Sequence, residues 1–168
     1  MVSGEIDISE GHYNLYDGRR VYGGGNGLSA AYYEDKYLTG HAKLDHVENI
    51  DFQWGRAHPF DWNDGFSVKF RGKIVPPSSG KYRFYIGADD GVTLRIGDKM
   101  IVDDYRRSKF RERRGEFDFD STEPVNIEID YVDFGGHAAL KMEWIKLSGE
   151  GSAPLGRQLV PKGAFYSN

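Results

Sequence analysis

The chain has 168 residues, which is enough for one domain with its own hydrophobic core and short for two. Its 26 acidic residues outnumber its 22 lysines and arginines, and the formal net charge of -4 argues against a nucleic-acid partner. The absence of cysteine excludes disulfide bonds, zinc sites built on thiolates and catalysis by a thiol.

Residues 1–26 precede the part of the chain that carries most of the strand signals. This segment ends in a glycine-rich interruption, Gly23-Gly24-Gly25-Asn26, and we expect it to form an N-terminal edge segment or a linker. It contains no apolar signal-peptide core, and the whole chain lacks the roughly 18 consecutive apolar residues of a membrane helix. We therefore interpret the chain as an excised domain without membrane insertion.

The segment 27–147 has the composition and punctuation of an all-β domain. The chain is rich in aromatic residues and holds 22 glycines, and no long segment keeps a helical period. Turn signals separate eight strand-like runs. These runs are Leu28–Tyr33, Phe66–Ile74, Lys81–Ile86, Val92–Ile96, Lys99–Val102, Arg113–Phe119, Val125–Val132 and Ala138–Leu147. Short strands at this spacing predict an antiparallel β-sandwich or barrel.

Two late runs have the clearest alternation. Every second residue from Val125 to Tyr131 is apolar, and Leu140, Met142 and Trp144 repeat the pattern. We predict that these residues face the core and that the two runs pair as an antiparallel hairpin. The remaining residues, 148–168, form a C-terminal tail whose apolar side chains could pack back on the sandwich.

Asp89 and Asp90 stand next to each other between two strand-like runs and are followed by Gly91. Consecutive side chains of a regular strand point to opposite faces, so these carboxylates converge only where the backbone departs from strand geometry. Calcium, which takes six to eight oxygen ligands, would account for such a departure. A solvated hairpin turn at Asp90-Gly91 is the alternative interpretation.

The order of several motifs resembles the PA-fourteen (PA14) domain, a module named after anthrax protective antigen. The similarity covers roughly residues 27–147. The motifs are Gly27–Tyr33, Leu38–Gly40, Ile50–Gly55, Phe66–Gly72, Ser79–Phe84, Asp89–Gly97, Ile101–Asp103 and Tyr131–Trp144. The resemblance implies an antiparallel β-sandwich with long loops at one end, located outside the cell or at its surface. It also implies a carbohydrate-binding module without catalytic activity.

The resemblance further implies a calcium site. In the sugar-binding members, two adjacent aspartates joined by a cis peptide bind calcium, and the ion coordinates hydroxyls of a terminal sugar. Asp89 and Asp90 match those positions. A later loop supplies the other ligands, which here are the Asp133 side chain and the carbonyls of Gly135 and His137. Sugar-binding members use an amide in place of Asp133, and a third carboxylate leaves excess negative charge near the ion.

The resemblance places the glycan ligand at the same end of the sandwich. Asp89 and Asp90 contact it through the ion, and Phe134, Gly136 and His137 lie in the adjoining loop. Phe134 or His137 could stack on a sugar ring or bond to it, or could belong to a solvated loop with one packed aromatic. Several family members bind no sugar, so a structural or protein-interaction module within a larger enzyme, adhesin or sensor is the alternative function.

Residues 106–114 hold six basic side chains. They could bind an acidic polysaccharide or a neighbouring domain, or they could form a solvated edge with Lys109, Arg111 and Arg113 pointing outward. A glycosidase mechanism is rejected, because the adjacent Asp89 and Asp90 cannot straddle a glycosidic bond.

Overall fold

The structure, a computed structural model, describes residues 19–57, 59–62, 65–149 and 156–168. No helix within these ranges is long and apolar enough to cross a membrane. The strands of the described residues are β1 (Leu28–Tyr33), β2 (Ala42–Val47), β3 (Asp51–Gly55), β4 (Phe66–Ile74), β5 (Gly80–Asp89), β6 (Gly91–Ile96), β7 (Lys99–Asp104), β8 (Arg111–Phe119), β9 (Val125–Asp133), β10 (Ala138–Ser148), β11 (Gln158–Leu159) and β12 (Phe165–Tyr166).

These strands form two antiparallel sheets that pack face to face as a β-sandwich. The larger sheet has the order β2-β1-β4-β9-β6-β7, with β12 added beside β4. The smaller sheet has the order β11-β10-β5-β8, with β3 also paired to β10. The predicted all-β, antiparallel sandwich is confirmed.

The core lies between the sheets and is filled by alternate residues of the long strands. Ile127 and Ile129 of β9 and Met142 and Trp144 of β10 are at most 1% exposed, which confirms that alternation identified their inward faces. Val125, at the start of β9, is partly buried and packs against the edge of the same core.

β9 and β10 do not pair with each other, so the predicted hairpin is wrong. β9 lies between β4 and β6 in the larger sheet, whereas β10 lies between β5 and β3 in the smaller one. Alternation determines which face of a strand is buried, but it is satisfied equally by a partner in either sheet. The Gly135-Gly136 segment, with φ angles of 129° and 83°, therefore crosses from one sheet to the other.

The solvated hairpin turn at Asp90-Gly91 is also wrong. The strands on its two sides, β5 and β6, belong to different sheets, and only 4% of Asp90 is exposed. β5 continues to Asp89, beyond the run predicted from the sequence. The two strands β2 and β3 were not predicted; most residues of β2 are exposed, and β3 has only five residues.

The ends of the described chain lie close together on the sandwich. β12 pairs with the end of β4, and β11 pairs with β10. The Tyr166 hydroxyl donates a hydrogen bond to the Val21 carbonyl at 2.7 Å. Val160, Ala164 and Phe165 are buried, so apolar side chains of residues 156–168 extend the core.

We expect Met142→Ala to lower the free energy of unfolding by about 2 to 5 kcal/mol, because it leaves a cavity between the sheets. Urea denaturation followed by tryptophan fluorescence measures the change. The matched control is Lys141→Ala on the outer face of the same strand, where the side chain is half exposed and the cost should stay below about 0.5 kcal/mol. Equal losses for the two variants would contradict the assigned orientation of β10.

Candidate metal and ligand site

Two of the segments that cross between the sheets carry the predicted site residues, and both lie at the same end of the sandwich. Asp89 is the last residue of β5, and Asp90 leads into β6 in the opposite sheet. Asp133 is the last residue of β9, and residues 134–137 lead into β10. Because β5 pairs with β10 and β6 pairs with β9, the two crossings lie side by side. The predicted site residues of both segments are therefore brought to one place.

Asp90 joins the two crossings through its buried carboxylate. Its Oδ2 accepts a hydrogen bond from the Phe134 N–H at 2.7 Å, and its Oδ1 accepts one from the Ser108 N–H at 3.0 Å. Its own N–H donates to the Val132 carbonyl at 3.2 Å. The peptide bond between Asp89 and Asp90 is cis, as the resemblance implies.

Asp133 is fully buried at the end of β9. Its Oδ1 accepts a hydrogen bond from the Gly135 N–H at 3.1 Å, and its Oδ2 accepts one from the Gly65 N–H at 3.4 Å. Gly135 has a φ angle of 129°, which glycine adopts without steric cost and which folds the loop back over the carboxylate. The second buried carboxylate is thus also held by backbone donors.

Asp89 is half-buried, and no described residue donates a hydrogen bond to its carboxylate. Desolvation raises the pKa of Asp89 above its usual value, and the negative charges of Asp90 and Asp133 raise it further. His137 and Arg113 oppose part of this rise. The Asp89 carboxylate therefore lies within the electrostatic influence of both Asp90 and Asp133.

The loop between β9 and β10 forms the rim of the site. The Phe134 ring is half-buried, with its centroid 5.3 Å from the Arg107 guanidinium and 5.9 Å from the Lys36 ammonium. His137 is exposed, and the space around the α-carbon of Gly136 is open. Gly136 and His137 are therefore accessible to a ligand, whereas two cations lie against the Phe134 ring.

The segment after β7 packs against the Asp-Asp-Gly motif. A Cβ on Gly91 would lie 2.4 Å from the Arg106 nitrogen and 2.9 Å from the Arg106 oxygen, and no side chain fits at such distances. Glycine is required here by the close approach of the two backbones. The same approach brings in Ser108, whose Oγ donates to the Asp90 carbonyl at 3.0 Å.

Arg113 is a site residue that the sequence did not single out. The solvated-edge interpretation placed it outside, but its side chain is buried. Its guanidinium donates hydrogen bonds to the carbonyls of Ala88 and Asp90, both at 2.8 Å, and to the Asp104 carboxylate at 2.8 Å. The sequence held a signal for this orientation. Arg113 and the inward-facing Phe119 are separated by an even number of positions on β8, so their side chains lie on the same face of the strand.

We expect Arg113→Ala to lower the free energy of unfolding by about 3 to 5 kcal/mol, because two buried carbonyls and a carboxylate each lose one hydrogen-bond donor and a buried charged network is broken. Urea denaturation at neutral pH measures this loss. Arg114→Ala is the matched control, since Arg114 is exposed on the other face of β8 and its removal should cost less than about 0.5 kcal/mol. Similar losses for the two variants would contradict the anchoring role.

The Asp104 carboxylate forms ion pairs with the guanidinium groups of Arg106, Arg111 and Arg113. Burial raises the pKa of the Asp104 carboxyl, but hydrogen bonds from the three arginines outweigh that effect and hold the pKa well below its usual value. A carboxyl with a lowered pKa in the folded state stabilises the protein above its unfolded pKa of about 3.9. This stabilisation is lost as the pH falls toward the folded pKa.

Asp104→Asn should therefore destabilise the protein at pH 7, and the difference from the wild type should shrink once the pH falls below about 4. Urea denaturation of both proteins between pH 3 and pH 7 tests this expectation. Asp103→Asn is the control, because its side chain is exposed on the same strand. A difference that stays constant across the pH range would exclude ionisation of Asp104 as its source.

Side chains alone do not enclose a metal ion here. In the ranges that the structure describes, no group of three or more His, Cys, Asp or Glu side chains is arranged as a metal site. The charges of Asp90 and Asp133 both act on the Asp89 carboxyl and raise its pKa in addition to the effect of burial. The predicted carbonyl ligands, Gly135 and His137, lie in the loop that follows Asp133. The predicted ligand set therefore relies on backbone carbonyls as well as on carboxylates.

Comparison with known families assigns the chain. The family model described as PA14 domain matches residues 24–155, which is most of the sequence. The chain therefore belongs to the PA14 domain family, and the resemblance found in the sequence is confirmed.

Its relatives include regulatory and adhesive proteins. The anti-sigma-I factor RsgI3 of Acetivibrio thermocellus is 31% identical over 122 residues, which cover 71% of this chain and 19% of that protein. A solved anti-sigma factor domain-containing protein from Clostridium clariflavum is 26% identical with a TM-score of 0.76, over 98% of this chain and 53% of that one. A PA14 sugar-binding domain from an RTX adhesin shares the fold, at 19% identity and a TM-score of 0.68, over 86% and 99% of the two chains.

Proposed function

We propose that this PA14 domain is a non-catalytic carbohydrate-binding module that recognises sugar hydroxyls through a bound calcium ion. The observation that carries the proposal is that the two crossings that bear Asp89, Asp90 and Asp133 lie side by side and are joined by the hydrogen bond from the Phe134 N–H to the Asp90 carboxylate. The sugar-binding PA14 domain of an RTX adhesin, which has the same fold, supports the ligand class.

The oxygen donors of this end fit a calcium ion. Two backbone N–H groups hydrogen-bond to each of the carboxylates of Asp90 and Asp133 and so fix their orientation. These two carboxylates, the Asp89 carboxylate and the carbonyls of Gly135 and His137 form the proposed ligand set. Carboxylates combined with carbonyls are ligands that calcium prefers.

The chain's residues divide the work of recognition. Asp89, Asp90 and Asp133 hold the ion, which when bound supplies coordination positions for two neighbouring hydroxyls of a terminal sugar. Gly136 leaves room for the sugar ring, and His137 offers a polar contact beside it. Three carboxylates exceed the charge of a divalent ion by one, so the centre disfavours anionic groups next to the ion.

The proposed module acts without catalysis. Glycosidases hold two carboxyl groups about 5 to 9.5 Å apart across the scissile bond, whereas Asp89 and Asp90 are adjacent in the chain and serve one centre. We place the module outside the cell or at its surface, within a larger protein. Its match to 19% of an anti-sigma factor supports membership in a longer chain.

A second candidate is a protein-interaction module. The similarity to two anti-sigma factor proteins favours it, because regulatory proteins transmit signals through protein contacts. In this alternative the site residues stabilise the loops, and calcium is structural or absent.

We expect calorimetric titration of calcium into chelator-treated protein to reveal one site in the wild type and none in Asp89→Asn. This substitution keeps the side-chain shape and removes one of three repelling charges, so the calcium-free variant should fold at least as stably as the wild type. Asp90→Ala should also lose calcium. Loss of affinity should exceed about 100-fold, the upper range for removing an outer-shell partner of a metal. Asp118→Asn, exposed on β8, is the control.

A folded wild type that binds no calcium would overturn the calcium-dependent function. If calcium binds, a glycan array with and without chelator separates the two candidates. Glycan binding that disappears with chelator supports the carbohydrate-binding module. A silent array, together with partner binding that survives in chelator, supports the interaction module.

A further inference from the structure

Phe110 is an exposed aromatic ring that the proposed calcium centre does not use. It precedes β8 in the segment that also packs on the Asp-Asp-Gly motif, and 54% of the residue is exposed. Burying a phenyl ring is favourable by about 2 kcal/mol, so an aromatic left half open beside a candidate site calls for an explanation.

The Phe110 ring packs on the backbone of Gly87, and we call this contact the seat of the ring. A Cβ on Gly87 would lie 2.5 Å from Phe110 Cζ and 3.1 and 3.2 Å from its Cε atoms. The tip of the ring therefore rests on the backbone of β5, where any other residue would displace it. Gly87 itself is buried beneath the ring.

This seat lies close to the proposed calcium centre along β5. Gly87 is on the outer face of the smaller sheet, because Phe84 and Ile86 point into the core, and Asp89 follows it two residues later at the end of the strand. A strand rises about 3.3 Å per residue, which puts the two positions about 6.6 Å apart. This separation is comparable to the spacing of neighbouring sugars in an oligosaccharide.

Polar side chains flank the ring on both neighbouring strands. Gly87 is paired with Lys141 on β10 and with Glu112 on β8, and both of these side chains are about half exposed. A pyranose presents C–H groups on its faces and hydroxyls on its rim. An aromatic face with polar groups at its edges complements both features, because the ring face carries partial negative charge.

We infer that Phe110 forms a second sugar subsite, next to the calcium centre, so that the ligand is an oligosaccharide or polysaccharide chain rather than a single sugar. The terminal residue binds at the ion, and the following residue stacks on Phe110. This inference rests on the proposed function, since it needs a terminal sugar at the Asp89 end.

The test uses a glycan array in calcium that carries each terminal sugar both alone and at the end of longer chains. The wild type should bind the longer chains about tenfold more tightly than the single sugars. Phe110→Ala and Phe110→Leu should remove this advantage without changing single-sugar or calcium binding. Phe110→Tyr keeps the ring and should retain the advantage.

Gly87→Ala provides an independent route to the same result. Its methyl group displaces the ring while Phe110 stays in the sequence, so the preference for longer chains should again be lost. Leu44→Ala, at an 81% exposed position of β2 in the other sheet, is the control and should behave as the wild type. Urea denaturation and calcium titration verify that each variant is folded and loaded.

The outcomes separate this inference from the proposed function. A wild type that binds calcium but no glycan overturns both. If the wild type binds glycans, and Phe110→Ala and Phe110→Leu bind the long chains with the same affinity as the wild type, the second subsite alone is overturned. Loss of chain-length preference in Phe110→Ala, Phe110→Leu and Gly87→Ala supports it.

Discussion

The Asp90 carboxylate is the point on which the candidate site depends. Its two oxygens accept hydrogen bonds from the backbone N–H groups of Phe134, between β9 and β10, and Ser108, between β7 and β8. Behind it, Arg113 donates to the carbonyls of Ala88 and Asp90 and so fixes the chain on both sides of Asp89. A buried carboxylate is costly unless it is fully bonded, and here its bonds are made by the segments that the site must align.

This arrangement stores negative charge at one end of the sandwich. The fold places a half-buried carboxylate beside two buried ones, and its cost is visible in the raised pKa of Asp89. Arg113 and His137 oppose part of that rise, although the hydrogen bonds of the Arg113 guanidinium go to backbone carbonyls and to Asp104 rather than to these three carboxylates. A divalent cation at this end would relieve the repulsion and is the simplest source of compensation.

The sequence predicted the local structure better than the pairing of its elements. Alternation in β9 and β10 located their buried faces, because inward residues must be apolar whichever strand lies beside them. It could not assign the strands to sheets, so the segments from β5 to β6 and from β9 to β10 resembled hairpin turns. Both segments in fact cross between the sheets, and they carry the residues of the candidate site. Asp89 and Asp90 were singled out as adjacent carboxylates between two strand-like runs, and the resemblance to the family then assigned them to a calcium site. Arg113 and Phe110 were not, since an inward arginine and an aromatic over Gly87 are recognisable only once β5 and β8 are paired.

The charge distribution also decides what kind of sugar surface this end can recognise. In the sequence, the basic residues 106–114 indicate a site for an anion. In the structure, however, Arg106, Arg111 and Arg113 form ion pairs with Asp104, and the Arg107 guanidinium lies against the Phe134 ring. These side chains hold the loop in place, so much of their charge is already compensated within the fold. In the proposed function, the groups that face the ligand are instead carboxylates, an exposed histidine and an aromatic ring. Such a surface favours neutral hydroxyls and C–H faces, which is the chemistry of a neutral glycan chain.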